Sequence, residues 1–379
     1  MNRAKKMSGR DLAITVGLGA LALLAGCKSF FTAVTTTTGT GTASFVYVAN
    51  VASTGSGGTL TEYSLTSGVL AQLSGSPITL PATPTSVVVA PNDAFLFVGT
   101  DLGVFLYTIN SDGTLTEGNT DTIVYQGPTQ PVSMAIDSTS SWLIIANKTS
   151  TELDALPLDP TTGVPTTPTP ASITLSAASP VQVTMAPANN NVFVALGSGG
   201  VNALSFTASN ASNPLGKPVG INLLKGSTAA NAVAVDTTSA YLFIGESTSG
   251  SGLRLISISN LGVDIADYPT GNGPVSILPD ASGAYVYVAN QTDNTISGFS
   301  FSAGALSALS GSPFATAKTP VTLVEDSSKT YIMDAGFGVN PNLWLYSFDS
   351  TVLGTLDVGT TTSTASTSPS YAIAIAVTH

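Results

Sequence analysis

The chain has a single cysteine, Cys27, and a single histidine, His379, in 379 residues. One thiol excludes a disulfide framework and a cysteine-ligated metal site. A histidine at the last position leaves a Ser-His-Asp constellation or a histidine-bound zinc nothing but a terminal residue to use. Charge is scarce as well: Asp, Glu, Lys and Arg make up 9% of the chain, against roughly 25% in an ordinary globular domain, so long amphipathic helices with a charged outer face have no material. Cations are scarcest. Beyond residue 26 the basic residues are Lys28, Lys148, Lys217, Lys225, Arg254, Lys318 and Lys329, against 21 acidic ones, a net charge of −14. Such a chain cannot neutralise a row of phosphates, which excludes nucleic acid as a partner. No phosphate-cradling glycine loop is present, and Gly250-Ser-Gly252 reads as a flexible turn.

The other four basic residues, Arg3, Lys5, Lys6 and Arg10, precede an apolar run from Leu12 to Leu24. This is the pattern of a secretory signal, and the run is shorter than the roughly 20 residues a membrane span needs. It ends in Leu24-Ala-Gly-Cys27, which resembles a bacterial lipobox. The resemblance implies cleavage before Cys27 and a diacylglycerol on its sulfur. We therefore expect a signal peptide over 1–26, a lipidated, Thr- and Gly-rich tether over 27–44, and one folded domain over 45–379. Lys28 and Ser29 after the lipid site resemble outer-membrane sorting signals, so a monomeric lipoprotein of the cell envelope is expected.

What the chain has in abundance is repetition. The stretch AYVYVANQTDNTISGFSF, Ala284 to Phe301, returns in variant form with its first strand beginning at Phe45, Phe95, Trp142, Asn191, Tyr241, Tyr285 and Thr330. These seven starts lie 50, 47, 49, 50, 44 and 45 residues apart. A period of this length filled with short alternating strands predicts a β-propeller. Within each repeat come a Pro, an apolar inner strand, an Asx-rich turn, the aromatic second strand, a polar loop, an amphipathic third strand and a looser fourth. The echo of GVLAQLSGSP (Gly68–Pro77) in GALSALSGSP (Gly304–Pro313) marks where an outer strand ends and the next blade begins. The first copy lacks an inner strand, and the end of the chain, Pro369 to Val377, is an inner strand with nothing after it. The expected fold is all-β: a seven-bladed propeller of four-stranded antiparallel blades, closed by the C-terminal strand joining the N-terminal blade. In that strand Tyr371, Ile373, Ile375 and Val377 alternate with alanines, predicting large side chains toward one neighbour and small ones toward the other.

This pattern, down to VYVAN, resembles the YVTN-type repeats and the lactonase-type seven-bladed propellers, a group that includes bacterial phosphogluconolactonases. The resemblance covers Phe45 to Val377 and implies a mouth with a histidine, arginines and a glutamate. Here the chain departs, with Arg254 as its one arginine beyond the signal peptide and no internal histidine. By position, the sixth residue of each aligned strand probes the channel mouth, and most of these residues are polar. Together with neighbouring loops they give a candidate mouth of Asn50, Asp101, Asn147, Glu152, Glu246, Arg254, Asn290, Asp293 and Asp334. The competing explanation is that the Asn residues cap strand ends. A polar funnel would suit a neutral sugar or a hydrated cation, and Glu246, Asn290 and Asp334 have the oxygens that Ca2+ prefers. Three functions follow: a membrane-anchored module binding protein or carbohydrate; a lactonase-like hydrolase, metal-dependent in one form; and an envelope assembly scaffold. An acidic mouth disfavours phosphorylated ligands in each case.

Overall fold

The structure, a computed structural model, describes residues 43–53, 56–117, 123–247, 252–338, 340–364 and 371–379. The signal peptide, Cys27, the tether as far as residue 42, Gly250 and Pro369 lie outside the described residues.

Seven antiparallel sheets follow one another along the chain, each built on a path of four strands. Blades two to seven begin with inner strands at Pro84–Val89, Pro131–Ile136, Gln182–Met185, Ala229–Val235, Pro274–Pro279 and Pro320–Glu325. Blade one takes its inner strand from the far end of the chain: Tyr371–Val377 pairs with Ser44–Val51, with Val46 opposite Val377 and Val48 opposite Ile375. The ring closes as the orphan strand implied.

The second strands are mostly apolar and almost wholly buried because each is sandwiched between sheets. In blade two every residue of Phe95–Thr100 is buried. The core lies between blades; Ile144 of blade three, for example, packs in one cluster with Val192, Val194 and Leu204 of blade four. The aromatic second position of VYVAN has a further use. Tyr47 donates its hydroxyl to the Gly113 carbonyl at 2.8 Å and Tyr287 to that of Gly354 at 2.6 Å, each in an outer turn of the following blade. A buried phenol thus keeps a partner while its ring fills the gap.

Four turns between inner and second strands rest on a buried aspartate. Asp137, Asp236, Asp280 and Asp326 each accept, on Oδ1, the backbone N–H that starts the next strand, at 2.6 Å for Trp142 and Tyr241 and 2.7 Å for Tyr285 and Tyr331. Oδ2 accepts the hydroxyl two residues on, from Thr139, Thr238, Ser282 and Ser328. The carboxylate satisfies donors that the tight turn strands from the ladder.

Three expectations need correction. The last repeat aligns from Tyr331, not Thr330, because Asp326 receives the Tyr331 N–H as Asp280 receives that of Tyr285. The SGSP echo does not open a new blade. After it, Ile78–Leu80 and Phe314–Ala315 return to the third strand of their own blade, and the third-strand N–H groups of Glu62 and Gly298 are taken by Ser76 Oγ at 2.7 Å and Ser312 Oγ at 2.9 Å. The alternation of the terminal strand also slips, at a bulge opposite Ala49 and Asn50. Ile373, Ala374 and Ala376 consequently pack toward blade two, and Ala372, Ile375 and Val377 toward blade seven.

That bulge recurs early in the inner strands of blades two, three, five, six and seven. An extra residue bends the strand and leaves backbone groups unpaired. Along the open edges of the inner strands, side chains of the preceding blade take up backbone N–H groups: Ser133 Oγ accepts the Val183 N–H at 3.1 Å, Gln182 Oε1 that of Val233 at 2.7 Å, and Ser276 Oγ that of Leu323 at 3.1 Å. The ring is stitched around its axis by these bonds, and the bulges turn side chains into the axial space.

Candidate functional site

The inner strands enclose two cavities that share Val87 and Ile375 as walls. The first, of about 480 Å³, lies where the inner strands begin and is lined by Thr85, Ser133, Gln182, Asn231, Gln291 and Thr322 among hydrophobic residues. Its polar groups are hydroxyls and amides only. Asn231 Nδ2 donates to Ser247 Oγ at 2.7 Å and Gln291 Nε2 to the Pro320 carbonyl at 3.3 Å. Gln182, whose Oε1 stitches blade five, has no partner for Nε2 among the described residues. This end offers neutral hydrogen bonds to a polar, uncharged molecule.

Of the nine residues read as a mouth, the structure leaves three on the surface: Asp101, Glu152 and Asp293. Asp101 accepts the Thr83 N–H at 2.9 Å and Asp293 the Asn272 N–H at 2.8 Å. The latter bond lowers the Asp293 pKa. The other six are inside blades. Asn50 bonds Thr61 at 3.2 Å and receives the Thr364 hydroxyl at 2.5 Å. Asn147 donates to Tyr125 at 2.7 Å and Asp154 at 2.8 Å. Asn290 donates to Thr295 at 3.1 Å and Ser297 at 2.9 Å. Glu246 and Arg254 pair with each other at 3.1 Å, and Arg254 also holds Asp264 and the Asn222 carbonyl. Asp334 is completely buried and takes the Thr316 hydroxyl; burial drives its pKa well upward.

The suggested Ca2+ set is therefore not assembled. Glu246, Asn290 and Asp334 sit in three different blades, and no group of three or more His, Cys, Asp or Glu side chains suited to a metal exists among the described residues.

The second cavity, of about 430 Å³, occupies the opposite end of the axis and was not anticipated. Its walls include Val87, Val89, Leu278, Leu323 and Val377, and the acidic and basic side chains on it are Glu325, Asp326, Lys329 and the terminal His379. His379 is fixed by Asp93, with Nδ1 2.9 Å from Oδ1. Glu325 is half-buried and accepts the Ala281 N–H on Oε2 at 2.6 Å, across the seam from blade six to blade seven. Burial, aided by Asp280 and Asp326 and opposed by the Ala281 N–H and Lys329, pushes its pKa from 4.5 to about 7. The repeat makes this residue conspicuous. The seven equivalent last positions of the inner strands are Val89, Ile136, Met185, Val235, Pro279, Glu325 and Val377. Six are apolar and one is a carboxylic acid. Lining up the inner strands themselves, PVTLVE against PVSILP, carries that signal in the sequence.

The family model described as "Lactonase, 7-bladed beta-propeller" matches residues 45–335. No curated protein matches the chain in sequence. Among solved structures, a candidate 6-phosphogluconolactonase from Bacteroides fragilis superposes with a TM-score of 0.70 at 14% identity, covering 89% of this chain and 98% of its own. A periplasmic gluconolactonase from Pseudomonas aeruginosa gives 0.68 at 15% identity, covering 87% and 99%. A protein from Lactobacillus plantarum gives 0.69 at 16% identity, covering 89% and 100%. At these identities the superpositions speak for the fold.

Proposed function

The chain belongs to the seven-bladed β-propeller lactonase family, and from that premise we propose that it is a hydrolase that opens uncharged lactones in the axial space of the ring. The observation that supports an uncharged substrate is the lining of the polar cavity, which among the described residues supplies hydroxyls and amides and no Lys, Arg or His. A phosphorylated sugar lactone carries close to two negative charges at neutral pH, and desolvating them without a cation is costly. The exposed carboxylates of Asp101, Glu152 and Asp293 at that end, against Lys148, add to the repulsion. The gluconolactonase and the 6-phosphogluconolactonase candidate among the structural neighbours differ by that phosphate, and this lining suits the substrate without it.

A second reading, a binding module without turnover, draws on one fact: among the described residues no titratable side chain lines the polar cavity. A pH-stat assay of the purified propeller with glucono-δ-lactone, an alkyl γ-lactone and 6-phosphoglucono-δ-lactone separates the readings. We expect kcat/KM for an uncharged lactone to exceed that for the phosphorylated one by at least about tenfold, the worth of about 1.4 kcal/mol of discrimination. Binding without hydrolysis of any of them favours the module, and efficient hydrolysis of the phosphorylated lactone overturns the substrate assignment.

A further inference from the structure

Opening a lactone calls for a group that takes a proton from water, and among the described residues the polar cavity has none. The apolar cavity at the other end of the axis does. We propose that Glu325 is the general base of a lactone-opening site in this apolar cavity, and that its substrates are lactones bearing a hydrocarbon substituent; this rests on the hydrolase reading given above.

Three observations converge. The propeller does not need an acid here, since six of seven equivalent positions are Val, Ile, Met or Pro, and a charged group where the repeat asks for an apolar one is the kind of local departure that function explains. The acid is placed for chemistry: its only hydrogen bond among the described residues is the one that Oε2 accepts from Ala281, which leaves Oε1 to meet a water. The surroundings fit a substrate with two characters. Val87, Val89, Leu278 and Leu323 would pack a hydrocarbon chain, and Lys329, on the same wall, brings a positive charge to the carbonyl oxygen. A carboxyl that titrates near neutrality divides between base and acid forms at working pH, as proton transfer in both directions requires.

In the step itself, water oxygen bonds to the lactone carbonyl carbon as Glu325 takes a water proton, and the carbonyl π pair moves onto oxygen. Collapse of the tetrahedral intermediate breaks the ring C–O bond. Glu325 returns its proton to the departing alkoxide, and the product is the hydroxy acid. Asp280, Asp326 and His379 face the same region; Asp280 and Asp326 are held by turn N–H groups and His379 by Asp93, which leaves Glu325 for the transfer.

The structural alternative is that Glu325 merely clamps the Ala281 turn. Glu325→Gln distinguishes the two, because the amide keeps the size and the acceptor for Ala281 but cannot take a proton. With γ-decalactone as probe, we expect Glu325→Gln to lower kcat by roughly 100-fold or more with the melting temperature at pH 8 undiminished. Leu278→Trp, which fills the cavity, should abolish γ-decalactone opening and carries the test if the first variant does not fold. Wild-type rates in Glu325→Gln would overturn the assignment and leave the hydrolase reading standing, as would hydrolysis of glucono-δ-lactone alone by the wild type. Failure of the wild type to open any uncharged lactone would remove the hydrolase reading, and this inference with it.

Discussion

Arg254 Nη1 lies 3.1 Å from Glu246 Oε1, and both side chains are almost entirely withdrawn from solvent inside blade five. The far side of the guanidinium grips Asp264, and Glu246 Oε2 accepts the Leu224 N–H at 3.1 Å. The pair ties the start of blade five's second hairpin to the loop leaving blade four. Its work is structural.

Glu246→Gln should therefore destabilise the fold, since it removes a charge from a buried cluster and leaves Arg254 with Asp264 as its one ion-pair partner among the described residues. Loss of one charge-assisted hydrogen bond is worth about 1.5 to 3 kcal/mol, and a urea titration should show a lower midpoint with an unchanged slope. Lactone hydrolysis measured well below the melting temperature should not change. A variant as stable as wild type but deficient in ligand binding would place Glu246 back at a mouth.

Side-chain direction explains why Glu246 was legible as polar but not as interior. Strand residues alternate between faces, and the sixth residue of the aligned second strands is turned into the protein, as Asn147, Asn290 and Glu246 are. In blade six the residue after it is the one that reaches the axis: Gln291 lines the polar cavity, whereas Asn290 is fully buried. The period, the blade order and the closing strand could be read from residue types because pleat and turn chemistry repeat seven times. The axial lining could not, because a bulge in the inner strands shifts the register by one, and nothing in PVSIL or PVTLV marks the inserted residue. Glu325 was legible in principle, as the one acid in a column of apolar residues.

Stability should respond to pH through Glu325. Its folded pKa is raised from 4.5 to about 7 by burial, so the fold favours the protonated form. The stabilisation from that proton is complete below about pH 4.5 and is lost as pH climbs through 7. Asp334, raised in the same direction by burial, adds to the slope. Scanning calorimetry from pH 4 to 8 should show the melting temperature falling across this window. Glu325→Gln should match wild type near pH 4 and exceed it near pH 8; parallel curves would mean that the carboxyl is as well solvated in the fold as in the open chain.

We propose that the mature protein is exported and held in the cell envelope by a lipid on Cys27. Cys27→Ser should abolish fatty-acid labelling and shift the protein from the detergent phase to the aqueous phase on Triton X-114 partition. Labelling that survives the substitution would refute the anchor.

The closing strand sets the order in which this ring can be completed. Synthesis delivers Ser44–Val51 more than 300 residues before Tyr371–Val377, so for nearly the whole of elongation blade one has its third strand on one side and an unoccupied row of N–H and C=O groups on the other. Such an edge is a template for pairing with another chain. A transcript cut short anywhere after blade one yields a polypeptide whose sticky edge can never be covered from within. Completion of the chain is thus itself the step that covers this long edge and leaves only the short inner and outer edges of the blades, and truncated products should be found as aggregates or in the care of chaperones.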